Sequence, residues 1–297
     1  MSEEGRGRRA RASTLFHPRP PRPPLLSILR YPSGTYLDNL ATAAAWLHRR
    51  TGEPAFLKEA KEYYTRMRSQ EAGSVYRFEH AWSNCAWGVS MLLATITGEQ
   101  QYSDDMRAFG ERWIQGGSPI SYLGTGLAFM HQVREGGEGG AGEAGALPLR
   151  RARADTHPRL PPLPAQWGSL RNVLGPAFLI AQYGHAIRDT DPKASGRYTC
   201  WARGQLRYAL GDAGRSFVVG YGNNPPTHVH HRSASCPTMT GAWGTNTPAC
   251  DFNQFNTYSP NPQTLYGALA GGPDGGDNYS DARNDYVRNE VAVDYNA

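Results

Sequence analysis

The feature that most constrains this chain is a repeated turn. Thr51-Gly52-Glu53 and Thr97-Gly98-Glu99 stand 46 residues apart, each between a helix-like segment that ends and another that begins. A glycine just past a helix suits the left-handed C-terminal turn, and that spacing equals two helices with their connections. A helical pair cannot bury its apolar stripe alone. It requires neighbours, arranged as an open solenoid or as a closed ring of hairpins.

Apolar periodicity fills in the rest. Leu37, Leu40, Ala44 and Leu47 recur at helical spacing over 36–50, and Pro54 suits the first turn of a helix over 54–69. Further helices are predicted over 79–96, 101–114, 119–131, 168–187 and 195–211. The helix at 168–187 is marked by Leu170, Leu174, Phe178 and Ala181. From Asp212 onward Gly, Asn, Pro and aromatic residues dominate, with one short apolar helix expected near 263–270. A solenoid would finish in a capping helix pair. A long aromatic tail instead fits loops over the mouth of a helical barrel, where binding and chemistry concentrate.

The formal net charge of +5 over 297 residues is carried by two biased segments. Residues 1–30 hold seven Arg against Glu3 and Glu4, and residues 133–166 hold five Arg against four acids. Their charges of +5 and +1 leave −1 for the remainder, so no basic face on a folded domain points to nucleic acid. Both segments are rich in Arg and Pro, the second also in Gly, and cannot offset their ordering entropy. They are read as disordered, either naturally or as translated non-coding sequence. No apolar run reaches the ~18 residues of a membrane span. The N-terminus, MSEEGRGRRARAS, has no apolar secretory core. The four cysteines form no CxxC pair, so a structural zinc site is not expected. Cys236 and Cys250 are read either as a disulfide or as free buried thiols.

Two constellations carry chemistry. In SFVVGYGNNPPTHVHHR, residues 216–232, His228, His230, His231 and Arg232 follow a Gly/Asn/Pro loop. They offer donors to hydroxyl or carboxylate oxygens, without a metal-site spacing. Residues 271–297 place Asp274, Asp277, Asp281, Asp285, Glu290 and Asp294 among Tyr279, Tyr286 and Tyr295. Carboxyl groups beside aromatic rings suit sugar chemistry, because rings stack on pyranose faces and a partly apolar setting favours a protonated acid. The spacing does not fit a calcium-binding EF-hand.

Both stretches resemble the two signature regions of glycoside hydrolase family 9, the endoglucanase or cellulase family. The first ends in His230-His231-Arg232; the second has Tyr279-x-Asp281, Tyr286, Glu290, Ala292 and Asn296. SPNPQTLYGALAGGPDGGDNY and Trp167-Gly-Ser-Leu-Arg171 are also similar to the family. The resemblance covers about 36–132 and 167–297. It implies an all-α fold, an incomplete (α/α)6 barrel with long irregular C-terminal loops. The domain organisation is then 1–35, a disordered N-terminus, and 36–297, a partial catalytic domain interrupted at 133–166. It implies inverting hydrolysis of β-1,4-glucosidic bonds in cellulose or related β-glucans. Glu290 is the implied general acid, with Asp281 and His230 as further catalytic residues. Arg232, Tyr295, Trp167 and Arg171 are implied to bind substrate.

Inverting hydrolysis needs a second carboxylate. The family's Asp-Gly-Gly-Asp-type base motif precedes the matched region, and Asp274-Gly-Gly-Asp277 belongs to the C-terminal signature instead. The chain is therefore expected to be inactive or nearly so. Some members bind calcium near the segment that Tyr36-Leu37-Asp38 resembles, but Asn39 and Ser83 replace acids there, so no metal and no cofactor are expected. The expected partner is a β-glucan polysaccharide or cello-oligosaccharide, with no nucleic acid or membrane, and the chain is expected to be a monomer. The family is extracellular. Two rival readings are a catalytically inactive glucan-binding derivative and a helical-repeat scaffold that binds protein.

Overall fold

Three helical hairpins build the core. The structure, a computed structural model, describes residues 36–70, 78–81, 84–131, 167–240 and 248–296. The segments 1–35 and 133–166, expected to be disordered, lie outside the described residues. Helix α1 (Leu37–Thr51) packs on α2 (Pro54–Gln70), α3 (Ala86–Thr97) on α4 (Gln100–Gln115), and α5 (Ser169–Ala186) on α6 (Pro192–Arg207). Helices α1, α3 and α5 are successive neighbours and form one layer, backed by α2, α4 and α6. The repeated turn does what its glycine implies. Gly52 and Gly98 sit at φ 76° and 68°, and their N–H groups close the last helical turns on the carbonyls of His48 and Ala94.

Burial explains the layering. Helix α3 (AWGVSMLLATIT) is apolar almost all round and touches α1, α4 and α5, so it is the central element. Its Trp87 stacks on Phe109 of α4 with ring centroids 4.5 Å apart. The hairpins are also joined by polar bonds. Asp105 of α4 accepts from Tyr64 of α2 at 2.7 Å, from Ser90 of α3 at 3.1 Å, and from Arg68 of α2.

Three expectations change. The helix foreseen at 79–96 begins only at Ala86, because the backbone before it is turned by an Ala81–Asn84 bridge. There Asp38 accepts from the Cys85 N–H at 2.8 Å. The helix foreseen at 119–131 is a hairpin of β1 (Ile120–Tyr122) and β2 (Ala128–Met130), with Ile120 opposite Met130. Its apolar run was ambiguous in period, and Gly126 at φ 93° favours a turn over a helix. Residues 263–270 form no helix; Leu269 instead bridges Val218, and Ala270 donates to the Phe217 carbonyl at 2.9 Å. After α6 the chain makes a π turn (Tyr208–Asp212) and then irregular loops that hold, among the described residues, a 3-10 turn (Val293–Tyr295) and three short α-helices. These are α7 (Arg232–Ser235), α8 (Phe252–Asn256) and α9 (Tyr286–Asn289).

Phe109 is fully buried against Trp87. Phe109→Ala is expected to cost about 3–5 kcal/mol. A urea melt checks this, and a midpoint unchanged from wild type would show that the α3–α4 stack does not carry the core.

Candidate active site

The site is built where the C-terminal loops close on the start of α5. Gly168 stands at φ 67°, and a side chain there would meet the Tyr295 hydroxyl at 2.8 Å. Only glycine lets Trp167 turn over the buried Tyr295 ring. The Leu170 N–H donates to the Gly271 carbonyl at 2.9 Å, and the Ser169 hydroxyl donates to the Pro273 carbonyl at 2.7 Å. Gly272, at φ 103°, approaches Leu170 so closely that a Cβ would lie 2.6 Å from its Cγ. The GG of the 271–297 signature is thus a close-packing requirement of this junction.

Glu290 follows α9 at the centre of the junction. Its Oε2 accepts from the Trp167 indole N–H and, at 3.4 Å, from the Tyr295 hydroxyl. Tyr295 is 4% exposed, and its pKa is pushed up first by burial and also by the nearby carboxylates, so it stays a donor. Arg171 reaches over the Tyr295 ring, 5.5 Å from its centroid, donates to the Trp167 carbonyl at 3.3 Å and pairs with Asp294 at 4.0 Å. The structure therefore brings Glu290, Trp167, Tyr295 and Arg171 into one cluster.

His230 joins that cluster through the backbone. It pairs with Glu290 as an isolated parallel bridge, and its N–H donates to the Asn289 carbonyl at 2.8 Å. Asn289 is fully buried; its amide donates to the Ser280 carbonyl at 2.7 Å, and its Oδ1 accepts from Tyr279. The His230 Nδ1 donates to the Arg283 carbonyl at 2.8 Å. That assigns the proton to Nδ1 and leaves Nε2 as an acceptor. Arg232 opens α7 with an exposed side chain and lines the pocket beside His230.

Asp281 has a different setting. Both of its oxygens are taken by the loop before His230. The Thr227 N–H and hydroxyl each donate at 2.8 Å, the His228 N–H at 3.0 Å, and the His228 ring Nδ1 lies at 3.1 Å. Burial alone would raise this carboxyl, but these hydrogen bonds outweigh it and hold its pKa below the usual aspartate value. Asp281 contacts His228 and Thr227 rather than Glu290. Asp274 and Asp277 are also engaged. The first accepts from the Gly276 and Asn278 N–H groups, both at 2.9 Å, and from Arg288 at 2.6 Å. The second accepts from Tyr208 and Thr125.

Several residues here had no role in the sequence reading. Arg283 is 3% exposed and donates to Asn261 Oδ1 at 2.7 Å and to the carbonyls of Gln254, Thr257 and Ser259 at 2.8–2.9 Å. No local pattern signals a buried Arg, since its acceptors come from a distant loop. Tyr286, part of the signature that carries the family resemblance, is an exposed ring. It lies 4.9 Å from Trp167 and 5.9 Å from His230, and His230 lies 5.9 Å from Phe255. The result is a continuous aromatic row past Glu290. Cys236 and Cys250 are disulfide-bonded, while Cys85 and Cys200 are free. Among the described residues, no group of three or more His, Cys, Asp or Glu side chains is arranged to hold a metal ion. Asp38, in the segment that resembles a calcium-binding stretch, is fully buried, and its Oδ2 accepts from the Cys85 N–H.

Known proteins resemble this chain in sequence and in fold. A family model described as glycosyl hydrolase family 9 matches residues 26–297. Endoglucanase B of Cellulomonas fimi is 33% identical over 269 residues, covering 88% of this chain and 21% of that protein. The solved structure of an endoglucanase from the termite Nasutitermes takasagoensis has a TM-score of 0.67 at 35% identity, covering 91% of this chain and 50% of that one. An endoglucanase from Clostridium thermocellum, complexed with cellobiose and cellotriose, has a TM-score of 0.66 at 32% identity, covering 90% and 38%. The chain thus spans half or less of the length of these relatives.

The depressed carboxyl of Asp281 sets a sign. Its contribution to stability is complete above the ordinary aspartate pKa of ~3.9 and is lost as pH falls through the lower folded value. Asp281→Asn is expected to lower stability at neutral pH and to flatten the loss between about pH 5 and about pH 3. Urea midpoints across that range test this; parallel curves for the two proteins would show that the clamp on Thr227 and His228 adds nothing.

Proposed function

Because the chain belongs to glycosyl hydrolase family 9, we propose that it carries the acid-catalyst half of an inverting glycosidase acting on β-1,4-linked glucans, cellulose or its oligosaccharides. The observation that carries this reading is the grip on Glu290. Trp167 and Tyr295 both donate to Oε2. A proton on that carboxyl therefore belongs on Oε1, the oxygen left to face a glycosidic oxygen. The aromatic row Trp167–Tyr286–His230 gives a β-linked chain a surface for its apolar pyranose faces. His230 accepts from a sugar hydroxyl at Nε2, and Arg232 donates from the rim. Asp281 is a positioning residue, acting through His228 and Thr227 on the loop that presents His230.

The inverting mechanism places its base about 6.5–9.5 Å from the acid, across the sugar. Asp274 and Asp277 supply no base, since their oxygens hold the loop to Arg288, Tyr208 and Thr125. Turnover by this chain is accordingly slow, and binding without turnover is the second reading. The Cys236–Cys250 disulfide suits an oxidising, extracellular setting. Among the described residues no helix is long and apolar enough to cross a membrane. The partner is a glucan chain rather than nucleic acid or a lipid surface, and the protein acts as a monomer.

Calorimetric titration with cellotetraose and reducing-end release from a soluble cellulose derivative test the two halves of this proposal. The chain is expected to bind. Glu290→Gln is expected to lower whatever hydrolysis it shows by about 10²–10⁴-fold while keeping affinity within a few-fold. Unchanged hydrolysis in that variant would remove Glu290 as the acid, and no binding by wild type would remove the glucan reading.

A further inference from the structure

Asn278-Tyr279-Ser280 is the one Asn-x-Ser/Thr triplet, with x other than Pro, in the 297 residues. That pattern is an acceptor for N-linked sugar, because the transferring enzyme reads the hydroxyl of the third residue while it substitutes the amide of the first. A triplet by itself decides little, but the folding around this one presents it. Asn278 and Ser280 are exposed, and Tyr279 between them is half-buried against the core. The Tyr279 ring meets Phe217 edge-to-face at 5.0 Å, and its hydroxyl donates to the buried Asn289. The Ser280 carbonyl accepts from the Asn289 amide at 2.7 Å and from the Ala282 N–H at 2.9 Å. These bonds use the backbone of Ser280 and not its hydroxyl. The middle residue thus anchors the triplet, and the two residues that glycosylation needs face outward.

The Asn278 amide is held in an accessible place. Asp274 Oδ1 accepts from the Gly276 and Asn278 N–H groups, both at 2.9 Å, and the Asp274 N–H donates to the Asn278 carbonyl at 2.9 Å. Arg288 fixes the other Asp274 oxygen at 2.6 Å. On this turn the Asn278 Nδ2 donates to Asp274 Oδ1 at 3.3 Å. A sugar replaces only one of the two amide hydrogens, so the other keeps that bond. Gly276 keeps the approach open, since a Cβ there would lie 2.7 Å from Asn278 Nδ2. Gly276 does not stand at a positive φ, so its backbone conformation does not demand glycine. What its missing side chain supplies is clearance for the amide. The Cys236–Cys250 disulfide places the chain in an oxidising compartment, which in a eukaryotic cell is the lumen where asparagine is glycosylated.

We propose that Asn278 is an N-glycosylation site, filled in a eukaryotic secretory lumen from an oligosaccharide carried on a lipid pyrophosphate. Asn278 Nδ2 forms a bond to the anomeric carbon of the first N-acetylglucosamine. The bond from that carbon to the pyrophosphate oxygen breaks, and the lipid pyrophosphate leaves with its electron pair. The displaced amide proton passes to a base of the transferase. The site rests on the oxidising setting inferred from the disulfide and is independent of the glucan reading.

Peptide mapping of the full chain, directed into the secretory lumen of cultured eukaryotic cells, tests this. Treatment with a peptide N-glycosidase in heavy-oxygen water converts an asparagine to labelled aspartate only where a sugar was attached. Label at residue 278 is expected, with a gain in electrophoretic mobility on treatment. Asn278→Gln and Ser280→Ala, both at exposed positions, are each expected to lose the sugar completely, and Ser280→Thr, which keeps the hydroxyl, to retain it. Unlabelled Asn278 in a chain that carries the Cys236–Cys250 bond overturns the site and leaves the oxidising setting in place. Both thiols free and no sugar overturns the two together. Sugar retained in Ser280→Ala overturns the site as a hydroxyl-dependent acceptor.

Discussion

The junction between the C-terminal loops and the start of α5 decides whether this chain has a site. Two of its contacts tolerate only glycine. Gly168 lets the chain pass over Tyr295, and Gly272 lets the 271–273 segment lie on Leu170 and Ser169. Through them Trp167 reaches Glu290 from a helix more than a hundred residues away in sequence. The same closure sets Arg171 over the Tyr295 ring, so aromatic, cationic and carboxylate groups arrive together. Helical packing supplies the platform, but backbone contacts at these glycines supply the register.

The carboxylates of the 271–297 segment show how local bonding sorts chemically similar groups. Asp281 and Asp274 are saturated by backbone and side-chain donors, which favours their charged forms and commits them to structure. Asp277 is bound between Tyr208 and Thr125. Glu290 alone among the four is held through one oxygen, by donors that fix its plane without filling both acceptor positions. A proton donor needs that asymmetry: one oxygen anchored, the other available.

Legibility from sequence followed the range of the interactions. The hairpins were readable because the Thr-Gly-Glu turns and the apolar stripes are local, and α1, α2, α4 and α5 appear within a residue or two of their expected spans. The β1–β2 hairpin was not, because its apolar run fits either period until Gly126 and the pairing partner are known. The cluster of Glu290 with Trp167, Tyr295 and Arg171 was readable only through the resemblance to a family, since no spacing rule joins 167 to 290. Arg283 and Asn289 were illegible in any case. A buried guanidinium or amide is stable only where a distant loop supplies the acceptors, as 254–261 does for Arg283 and Ser280 does for Asn289.

The half-ring of hairpins bears on the site in one further way. Trp46 and Leu47 on α1 are 52% and 45% exposed, and Phe178 on α5 and Leu206 on α6 are 51% and 49% exposed, as on hairpins with a partner on one side only. The acid cluster meets the second of those faces at Tyr295, which lines one pocket with Phe178 and Leu206, and among the described residues it has no such link to Trp46 and Leu47. It is made by the start of α5 and by loops that bond to one another, with His230 paired to Glu290 and Leu269 paired to Val218. Its internal hydrogen bonds therefore hold Glu290 in place by contacts that do not run through α1. An exposed α1 face lowers the stability of the helical layer first, and the geometry of the proton donor only if that loss spreads through α3 to α5.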